Sequence, residues 1–566
     1  MSFKHNNAVG FYNFEDSTDL GADVSGYDRD GTLNNVTTRT EGSEQFADFN
    51  GTDSYVDLSS HVAQASGLSA FSGAFRVVLD KVAGAQAVFS LTDSSDGSSN
   101  FSLFFSGTSL FLQVRENGAA AISFAASTTF AVDTEYHIAF STGSAGAFIW
   151  VDGVQRGTDA ATESTNAVLT PDKMYLGLNQ DSSGFEWEFD GGIKDAYIAN
   201  VEIDINTVNN MIDNDAYGFE EIALLGQSNI IGRADIRTGI DDDYTAVSGN
   251  VYQWGYNAQT LTAATNPLDH NQSEGGGNAD NMGSWLAMCN SLVSKLPYKK
   301  KILLIPAATG STGFVGTAGW VSPAGTQYAG AVSTMVAARG QSTLSRLSLV
   351  CWWQGEYDAG NGGAAAYNTN LSAMVTAFQA EATLDWTTST PFCCLAIGEV
   401  VNTADSVIIN GHLKDFADAS AVRSYIDTTS LELAVDDVHF TAASYVSAGS
   451  SIASEAYRPQ LLTKYPNIID SVGDSAINDL SSDWGQAESF AITSLPTGAA
   501  QTGSTAATTG TVTEDETSLV KVTATGPTDQ TKAEYFLWQV GVGGNLVTGG
   551  TGRKLRGRGF YPYRPR

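Results

Sequence analysis

The feature that most constrains the fold is a series of apolar runs that alternate with helical stretches between residues 219 and 460. The runs "EIALLG", "KILLIPA", "LSLVCWWQG" and "CCLAIGEV" are almost continuously apolar, and stretches such as "YAGAVSTMVAARG" separate them. Strands that are buried on both faces have this composition, so the pattern predicts a parallel sheet covered by helices on both sides. Sites in such sheets form at the carboxyl ends of the strands.

The regions on either side have a different pattern. Residues 1–218 contain short alternating runs such as "AFRVVLD", "FSLFFS" and "YHIAFS", with hairpin signals at Asn50-Gly51 and Asp152-Gly153. This pattern predicts an antiparallel β-sandwich of the jelly-roll type. Residues 461–566 contain strand-like runs followed by a Gly-rich basic tail, which predicts a small β-rich module. We therefore expect a multidomain chain with domains at 1–218, 219–460 and 461–566.

The charge and cysteine content narrow the classes of function. The 566 residues include 62 acidic and 29 basic side chains, a formal net charge of −33 that disfavours binding to nucleic acid. The sequence has no stretch suited to span a bilayer and no apolar secretory core at its start, so we expect no membrane insertion. The four cysteines lack metal-type spacing, and no metal or cofactor is predicted. The basic end, "RKLRGRGFYPYRPR", is either a solvated tail or an arm that docks on an acidic surface.

The first apolar run of the central region ends in "GQSN" at positions 226–229, which places Ser228 at the end of a predicted strand. A hydroxyl in this position is a candidate nucleophile. No G-x-S-x-G motif occurs, so the usual α/β-hydrolase arrangement is not supported. A second "GQS", at positions 340–342, comes before its strand and is interpreted as unrelated to the site.

Three further segments could complete a serine hydrolase site. The run "IPAATGSTGF" places Gly310 where its N–H could face a ligand, although an ordinary strand-to-helix turn would look the same. The run "CWWQGEYDAG" brings Gln354 and Glu356 to a strand end, where an amide could donate to an oxyanion. In "AVDDVHFT", Asp436 precedes His439 by three residues, a spacing that lets a carboxylate orient an imidazole.

These four segments, in this order, resemble the SGNH hydrolase superfamily and its branch of sialate O-acetylesterases and acetylxylan esterases. The resemblance implies a three-layer α/β fold with Ser228 as nucleophile, His439 as base and Asp436 as the orienting acid. It also implies oxyanion donors from the backbone of Ser228 and Gly310 and from the side chain of Gln354. Glu356 is the alternative acid.

The first region resembles a concanavalin A-like or laminin G-like module. The runs "FADFNGTDSYVDL", "WVDGVQRG" and "MYLGLNQDSSGFEWEFDGGIKDAYIAN" carry this resemblance in the order usual for such modules. Modules of this type often bind glycans and sometimes hold calcium. Asp16, Asp23 and Asp28 could supply oxygen ligands, or they could cap loops through Asx turns.

Together, these features predict a serine esterase that removes O-acetyl groups from a carbohydrate such as capsule or O-antigen. The β-rich appendages suit a phage tail fibre or spike that is made in the host cytoplasm and acts in the virion, outside the cell. The expected partners are an acetylated polysaccharide, further copies of the chain, with trimers common among fibre proteins, and other virion proteins. The alternatives are an inert glycan-binding adhesin or structural fibre protein, a bacterial glycan-processing acetylesterase in the bacterial cytoplasm, and an esterase of lipids or small acyl esters.

Overall fold

The structure is a computed structural model of the whole chain, and its secondary structure is described for most of the first 464 residues and for six later strands. The described residues are 5, 7–95, 99–168, 170–182, 184–235, 248–271, 281–293, 296–316, 319–399, 403–420, 422–464, 468–472, 489–493, 499–501, 508–510, 517–525 and 531–541. They fall into two compact units, 1–456 and 457–566. The predicted boundaries at 218 and 460 stay predictions.

The N-terminal part of the first unit is built from strands and one short helix, α1 (Val62–Ala65). Its strands are β1 (Ala8–Tyr12), β2 (Thr32–Asn34), β3 (Thr37–Glu41), β4 (Glu44–Asn50), β5 (Tyr55–Asp57), β6 (Phe71–Leu79), β7 (Ala85–Thr92), β8 (Asn100–Ser106), β9 (Ser109–Glu116), β10 (Ala119–Ala125), β11 (Glu135–Gly143), β12 (Gly146–Val151), β13 (Val154–Asp159), β14 (Lys173–Leu176), β15 (Asn179–Asp181), β16 (Gly184–Glu186) and β17 (Asp190–Ala199).

Two antiparallel sheets form the sandwich that the alternating runs predict. Among the described strands, an eight-stranded sheet has the order β13-β12-β11-β6-β17-β4-β3, with β1 also paired to β17, and a seven-stranded sheet has the order β10-β9-β8-β7-β14-β5-β2. The apolar side chains between the sheets include a group of phenylalanines, among them Phe71, Phe75, Phe89, Phe101 and Phe140. Successive strand residues point to opposite faces, so the alternating runs supply one face to this core. The predicted N-terminal sandwich is confirmed.

The outer face of the eight-stranded sheet packs against the chain that follows the sandwich. Helix α2 (Ile205–Asp213) begins after Asp204, whose side chain accepts the N–H of Thr207 at 2.9 Å. Met211 of this helix lies in one apolar cluster with Trp150 and Tyr197 of the sandwich and with Tyr217, which precedes the next strand. The sandwich and the central region therefore share a buried joint.

Buried polar contacts reinforce this joint. Asp195 of β17 is fully buried, and its carboxylate accepts hydrogen bonds from Lys299 at 2.7 Å and from the Tyr298 hydroxyl at 3.2 Å. Lys299 also pairs with Asp215 at 2.7 Å. Burial raises the pKa of Asp195, and the adjacent Lys299 acts in the opposite direction. A carboxylate buried here depends on this lysine for its compensation.

The central region contains helices between short strands. The helices are α3 (Ser228–Ile231), α4 (Trp285–Val293), α5 (Thr326–Arg339), α6 (Glu356–Gly360), α7 (Tyr367–Ala380), α8 (Thr403–Asp418) and α9 (Ala442–Lys464). The strands are β18 (Phe219–Gly226), β19 (Ala234–Asp235), β20 (Val251–Trp254), β21 (Leu261–Ala263), β22 (Asn281–Met282), β23 (Lys301–Pro306), β24 (Arg346–Trp353), β25 (Phe392–Leu395) and β26 (Arg423–Ile426).

Seven of these described strands form one sheet in the order β21-β20-β23-β18-β24-β25-β26. All neighbours from β20 to β26 pair in parallel, and only β21 is antiparallel. Strand β18 comes first in the chain but lies between β23 and β24, so the strand order reverses at this strand. Ligands of open α/β sheets bind at the carboxyl ends of strands at such a reversal. The "GQSN" segment therefore follows the strand that marks the expected site.

Two acidic residues lie in the otherwise apolar strand β18. Glu220 pairs with Lys300 at 3.3 Å and with Arg346 at 2.7 Å, and Glu221 pairs with Arg339 at 2.9 Å. Burial raises the pKa of Glu221 to about 7, while Arg339 favours its charged form. These pairs explain how the strand remains buried along its full length despite the two carboxyl groups.

The second unit, described by itself, is a small β-rich part, as predicted. Its strands are β27 (Ile468–Val472), β28 (Ser489–Thr493), β29 (Ala499–Gln501), β30 (Thr508–Gly510), β31 (Thr517–Thr525) and β32 (Thr531–Gly541). Four of the described strands form a sheet in the order β27-β32-β31-β28, and β29 pairs with β30. The basic tail lies outside the described residues. Within the portions of the chain that are described, no helix has the length and apolar character needed to cross a bilayer.

Candidate active site

The strand-to-helix turn after β18 positions Ser228. Gly226 has φ +128°, and a Cβ atom there would lie 2.2 Å from the carbonyl oxygen of Trp353, so only glycine fits this close passage. The next N–H, of Gln227, donates to the same Trp353 oxygen at 3.0 Å. Ser228 then begins the one-turn helix α3 with 7% of its surface exposed. The turn therefore holds the hydroxyl at the carboxyl end of the sheet.

The structure brings Ser228, His439 and Asp436 into one hydrogen-bonded chain. The Oγ of Ser228 lies 2.9 Å from Nε2 of His439, and Nδ1 of His439 lies 2.6 Å from Oδ2 of Asp436. A carboxylate at Nδ1 favours the tautomer with the proton on Nδ1, which leaves Nε2 free to accept the serine proton. The arrangement thus has the order nucleophile, base and orienting acid.

Asp436 is itself held by the turn that carries the histidine. Its Oδ1 accepts the backbone N–H groups of Val438 at 3.1 Å and His439 at 3.0 Å. Partial burial acts to raise the pKa of Asp436, but these N–H groups and the imidazole outweigh it and hold the pKa below its usual value. The carboxylate is therefore charged near neutral pH and is fixed toward Nδ1.

Asn229 connects the serine turn to the histidine turn, a role that the sequence did not indicate. Its amide nitrogen donates to Oε1 of Glu356 at 2.5 Å and to the carbonyl oxygen of Val438 at 3.2 Å. Its amide oxygen accepts the hydroxyl of Tyr445, on α9, at 2.8 Å. One fully buried amide thus joins segments that are more than 200 residues apart.

Glu356, the alternative acid, takes a different place from Asp436. Its carboxyl group bonds Asn229, makes no recorded hydrogen bond to His439, and its Oε2 has no partner among the described residues. Burial raises the pKa of Glu356 to about 7, with a further contribution from the negative charge of Asp358, while the Asn229 amide partly offsets both. In this geometry Asp436, and not Glu356, orients the imidazole.

Gln354 lies below the serine turn and is fully buried. Its Nε2 lies within hydrogen-bonding distance of Oδ2 of Asp358 at 2.7 Å, Oε1 of Gln227 at 3.1 Å and the carbonyl oxygen of Thr312 at 3.1 Å. The hydroxyl of Tyr367 donates to its oxygens. These acceptors occupy both amide hydrogens, so its role as an oxyanion donor stays a prediction, and the observed contacts instead hold Gln227 in place.

Asp358 is a second residue whose part sequence reasoning missed. Besides Gln354, its carboxylate accepts the N–H groups of Phe314 and Val315, each at 3.1 Å. It therefore fastens the segment after Gly310 to the segment after Gln354. A carboxylate two residues after Glu356, in a run that leaves a buried strand, was the available signal.

The segment that follows β23 reaches the same strand end. The N–H of Thr309 donates to the carbonyl oxygen of Gly226 at 3.2 Å, so Gly310 lies one residue beyond this contact. The Nη2 of Arg233 would be 3.0 Å from a Cβ atom at Gly310. His270, buried behind the segment, accepts the N–H of Ala308 at 3.2 Å. Burial and the nearby Arg233 charge lower the pKa of His270 to about 3, so this imidazole is neutral.

The acidic residues considered as calcium ligands are engaged in local turns. Asp16 accepts the N–H and hydroxyl of Thr18, and Asp23 accepts the N–H groups of Phe11 and Ser25. Over the described part of the chain, no group of three acidic, histidine or cysteine side chains has an arrangement that could hold a metal ion. These contacts agree with the Asx-turn interpretation.

Comparison with family models assigns the two modules of the first unit. Residues 221–458 match the model described as carbohydrate esterase, sialic acid-specific acetylesterase, and residues 50–208 match that of the concanavalin A-like lectin/glucanases superfamily. The chain thus contains a sialic acid-specific acetylesterase domain of the carbohydrate esterases together with a concanavalin A-like module. It is a carbohydrate O-acetylesterase by this domain.

Several solved structures are similar to parts of the chain. A protein from Arabidopsis thaliana is 20% identical, with a TM-score of 0.36, over 42% of this chain and 98% of its own. NanS is 15% identical, with a TM-score of 0.36, over 43% of this chain and 98% of its own. Domain 4 of AbnA, an extracellular arabinanase from Geobacillus stearothermophilus, is 16% identical, with a TM-score of 0.29, over 36% of this chain and 98% of its own. No curated protein matches the chain.

Proposed function

We propose that Ser228, His439 and Asp436 are the catalytic triad of an esterase that removes O-acetyl groups from a polysaccharide. The observation that carries the proposal is the continuous chain of hydrogen bonds, 2.9 Å from Ser228 to His439 and 2.6 Å from His439 to Asp436. These are the distances over which a serine proton is transferred to a base that a carboxylate orients.

In the first half of the reaction, Oγ of Ser228 attacks the acetyl carbonyl while Nε2 of His439 takes its proton. The tetrahedral intermediate collapses, the bond to the sugar oxygen breaks, and His439 returns the proton to that oxygen. In the second half, water attacks the acetyl-serine with His439 again as base, and acetate leaves as Ser228 is restored. Asp436 stabilises the imidazolium that forms in each half.

The developing oxyanion needs N–H donors near the acetyl carbonyl. We assign this role to the backbone N–H groups of Ser228 and Gly310. Two observations support it: Ser228 lies at the start of α3, and Gly310 follows the contact between Thr309 and Gly226. The parallel order β23-β18-β24-β25-β26, with the site at β18, also supports the three-layer arrangement of the SGNH hydrolases.

For the substrate, we propose an acetylated capsule or O-antigen that the protein deacetylates as a virion component during adsorption. The combination of an esterase domain with a lectin-like module and a further β-rich unit supports an enzyme that works on a polymer surface. On this proposal the protein assembles as a homo-oligomer with other virion proteins and acts outside the cell.

The test compares Ser228→Ala with the wild-type chain. Acetate release is measured with 4-nitrophenyl acetate, and loss of acetyl signals from O-acetylated bacterial polysaccharides is followed by proton NMR. We expect Ser228→Ala to lower kcat by on the order of 10⁴-fold or more. Ser342→Ala is a matched control, because Ser342 lies in the other "GQS" of the chain and away from the triad. Equal rates for wild type and Ser228→Ala would refute the mechanism and leave only a binding function.

A further inference from the structure

The sandwich carries a row of polar side chains on the outer face of its seven-stranded sheet. Phe101, Leu103 and Phe105 of β8 point into the core between the sheets, so the alternate residues of that strand point outward. The same alternation applies to β7 and β9. The outward residues of these three strands are Ser90, Thr92, Asn100, Ser102, Phe104, Phe111, Gln113 and Arg115.

The strand register places the polar members side by side. Asn100 of β8 lies opposite Thr92 of β7 on one side and opposite Arg115 of β9 on the other. In the next row, Ser102 lies opposite Gln113. Directly opposite residues have Cβ atoms about 4.5–5.5 Å apart, so these side chains form one continuous patch.

Several polar atoms of this patch are buried and have no hydrogen-bond partner among the described residues. They are Oγ1 of Thr92, Oδ1 of Asn100, Oε1 of Gln113 and Nε of Arg115. The side chains are only slightly accessible: Thr92 is 1% exposed, Asn100 7% and Gln113 8%. Buried polar atoms in folded proteins are almost always paired, so four such atoms in one patch indicate a surface shaped for a polar ligand.

An aromatic stack lies at one end of the patch. Phe104 stacks on Phe111, with ring centroids 5.4 Å apart and an interplanar angle of 15°. Trp187 stacks on the other side of Phe104, with centroids 4.6 Å apart and an angle of 30°. Trp187 and Phe111 remain partly exposed. An apolar platform beside hydrogen-bonding groups is the usual composition of a small-molecule site.

The face is also separate from the buried joint. The outer face of the eight-stranded sheet packs on the central region through residues such as Phe11, Trp150 and Tyr197. The seven-stranded sheet lies on the opposite side of the sandwich, so its outer face is not used in that contact. Hairpin β15–β16 borders the patch, because Asn179 accepts the hydroxyl of Ser102 at 3.4 Å.

We propose that this outer face is a second carbohydrate site, distinct from the esterase site, that binds sugar units of a glycan chain. Sugar hydroxyls donate to the oxygens of Asn100 and Gln113 and accept from Arg115, and the apolar face of a sugar ring packs on the exposed aromatic side chains. A nucleic acid is disfavoured as the occupant by the net charge of −33.

The experiment measures binding by the full-length Ser228→Ala chain, which cannot turn over an ester, on an array of immobilised neutral and acidic polysaccharide fragments. Asn100→Ala and Gln113→Ala are then added singly to this background. Each removes one hydrogen-bonding group and is expected to weaken the affinity for the retained fragments by about 10-fold. Gln155→Ala is the matched control, since Gln155 is an exposed glutamine on β13 of the other sheet, and it should bind as the parent does.

In the otherwise wild-type chain, Asn100→Ala and Gln113→Ala should hydrolyse 4-nitrophenyl acetate within about 2-fold of wild type, because neither residue belongs to the esterase site. Retention of no fragment by the parent, or equal affinities for the patch variants and Gln155→Ala, would overturn the proposal. A failure of the esterase proposal would instead appear as unchanged turnover in Ser228→Ala, a result that does not depend on binding to the array.

Discussion

The amide nitrogen of Asn229 lies 3.2 Å from the carbonyl oxygen of Val438, so the residue after the nucleophile holds the residue before the base. Removing this amide leaves the Val438 carbonyl, Glu356 and Tyr445 without their shared partner. We expect Asn229→Ala to lower kcat by about 10- to 100-fold, with a smaller change in KM, because a lost buried hydrogen bond costs about 1–3 kcal/mol. Steady-state kinetics with 4-nitrophenyl acetate measure both constants, and an unchanged kcat would show that Asn229 does not position His439.

The two acidic residues near the site should respond differently to amide substitution. Asp436→Asn removes the carboxylate that selects the His439 tautomer, and we expect kcat to fall by on the order of 10³- to 10⁴-fold. Glu356→Gln retains a group that can bond Asn229, and a loss of less than about 10-fold is expected. Kinetics on the two variants side by side decide the assignment. A larger loss for Glu356→Gln would make Glu356 the orienting acid.

The raised pKa of Glu356 should make the stability of the first unit depend on pH. Burial lifts this pKa from 4.5 in the unfolded chain to about 7 in the folded one, so the folded state binds the extra proton between these values. The free energy of unfolding should therefore fall as pH rises from about 5 to 7 and stay lowered above 7. Glu356→Gln, which cannot ionise, should remove up to about 3 kcal/mol of this loss.

Thermal unfolding at pH 5 and pH 8 measures the effect. The gain in Tm of Glu356→Gln over wild type should be larger at pH 8 than at pH 5. Glu116→Gln provides the control, because Glu116 is an exposed glutamate at the end of β9. Equal gains at the two pH values would mean that Glu356 is ionised in the folded protein throughout this range.

The buried pair Asp195–Lys299 should be essential to the joint between the sandwich and the central region. Asp195→Ala leaves the ammonium group of Lys299, whose side chain is 11% exposed, with only the more exposed Asp215. Breaking a buried pair by removing one partner costs about 3–5 kcal/mol, so a clear fall in Tm is expected. Limited proteolysis should also show new cleavage close to residues 213–218. A variant as stable and as protease-resistant as the wild-type chain would contradict this role.

The sequence predicted the features that depend on local pattern. Alternating runs indicated the sandwich, continuous apolar runs indicated the parallel sheet, and the D-x-x-H spacing brought Asp436 and His439 together. A carboxylate three residues before a histidine needs only a short turn to reach it, which is why this part of the geometry could be read from the chain.

The contacts between distant segments could not be predicted in the same way. The partners of Gln354 come from Gln227, Thr312 and Asp358, and only the packing of three strand ends determines that these acceptors surround its amide. The same holds for Asn229, whose partners are 127 to 216 positions away. A polar residue in a sequence shows that it needs partners when buried, but its composition does not show which ones it will find.

The contacts of Tyr298 and Lys299 with Asp195 leave the sandwich little freedom to turn relative to strand β18. A polymer anchored to one module would then present its acetyl groups to the other at a constant offset, counted in sugar units. Such an enzyme would behave as a molecular ruler, and its product would carry a regular spacing of bare hydroxyls rather than a random one.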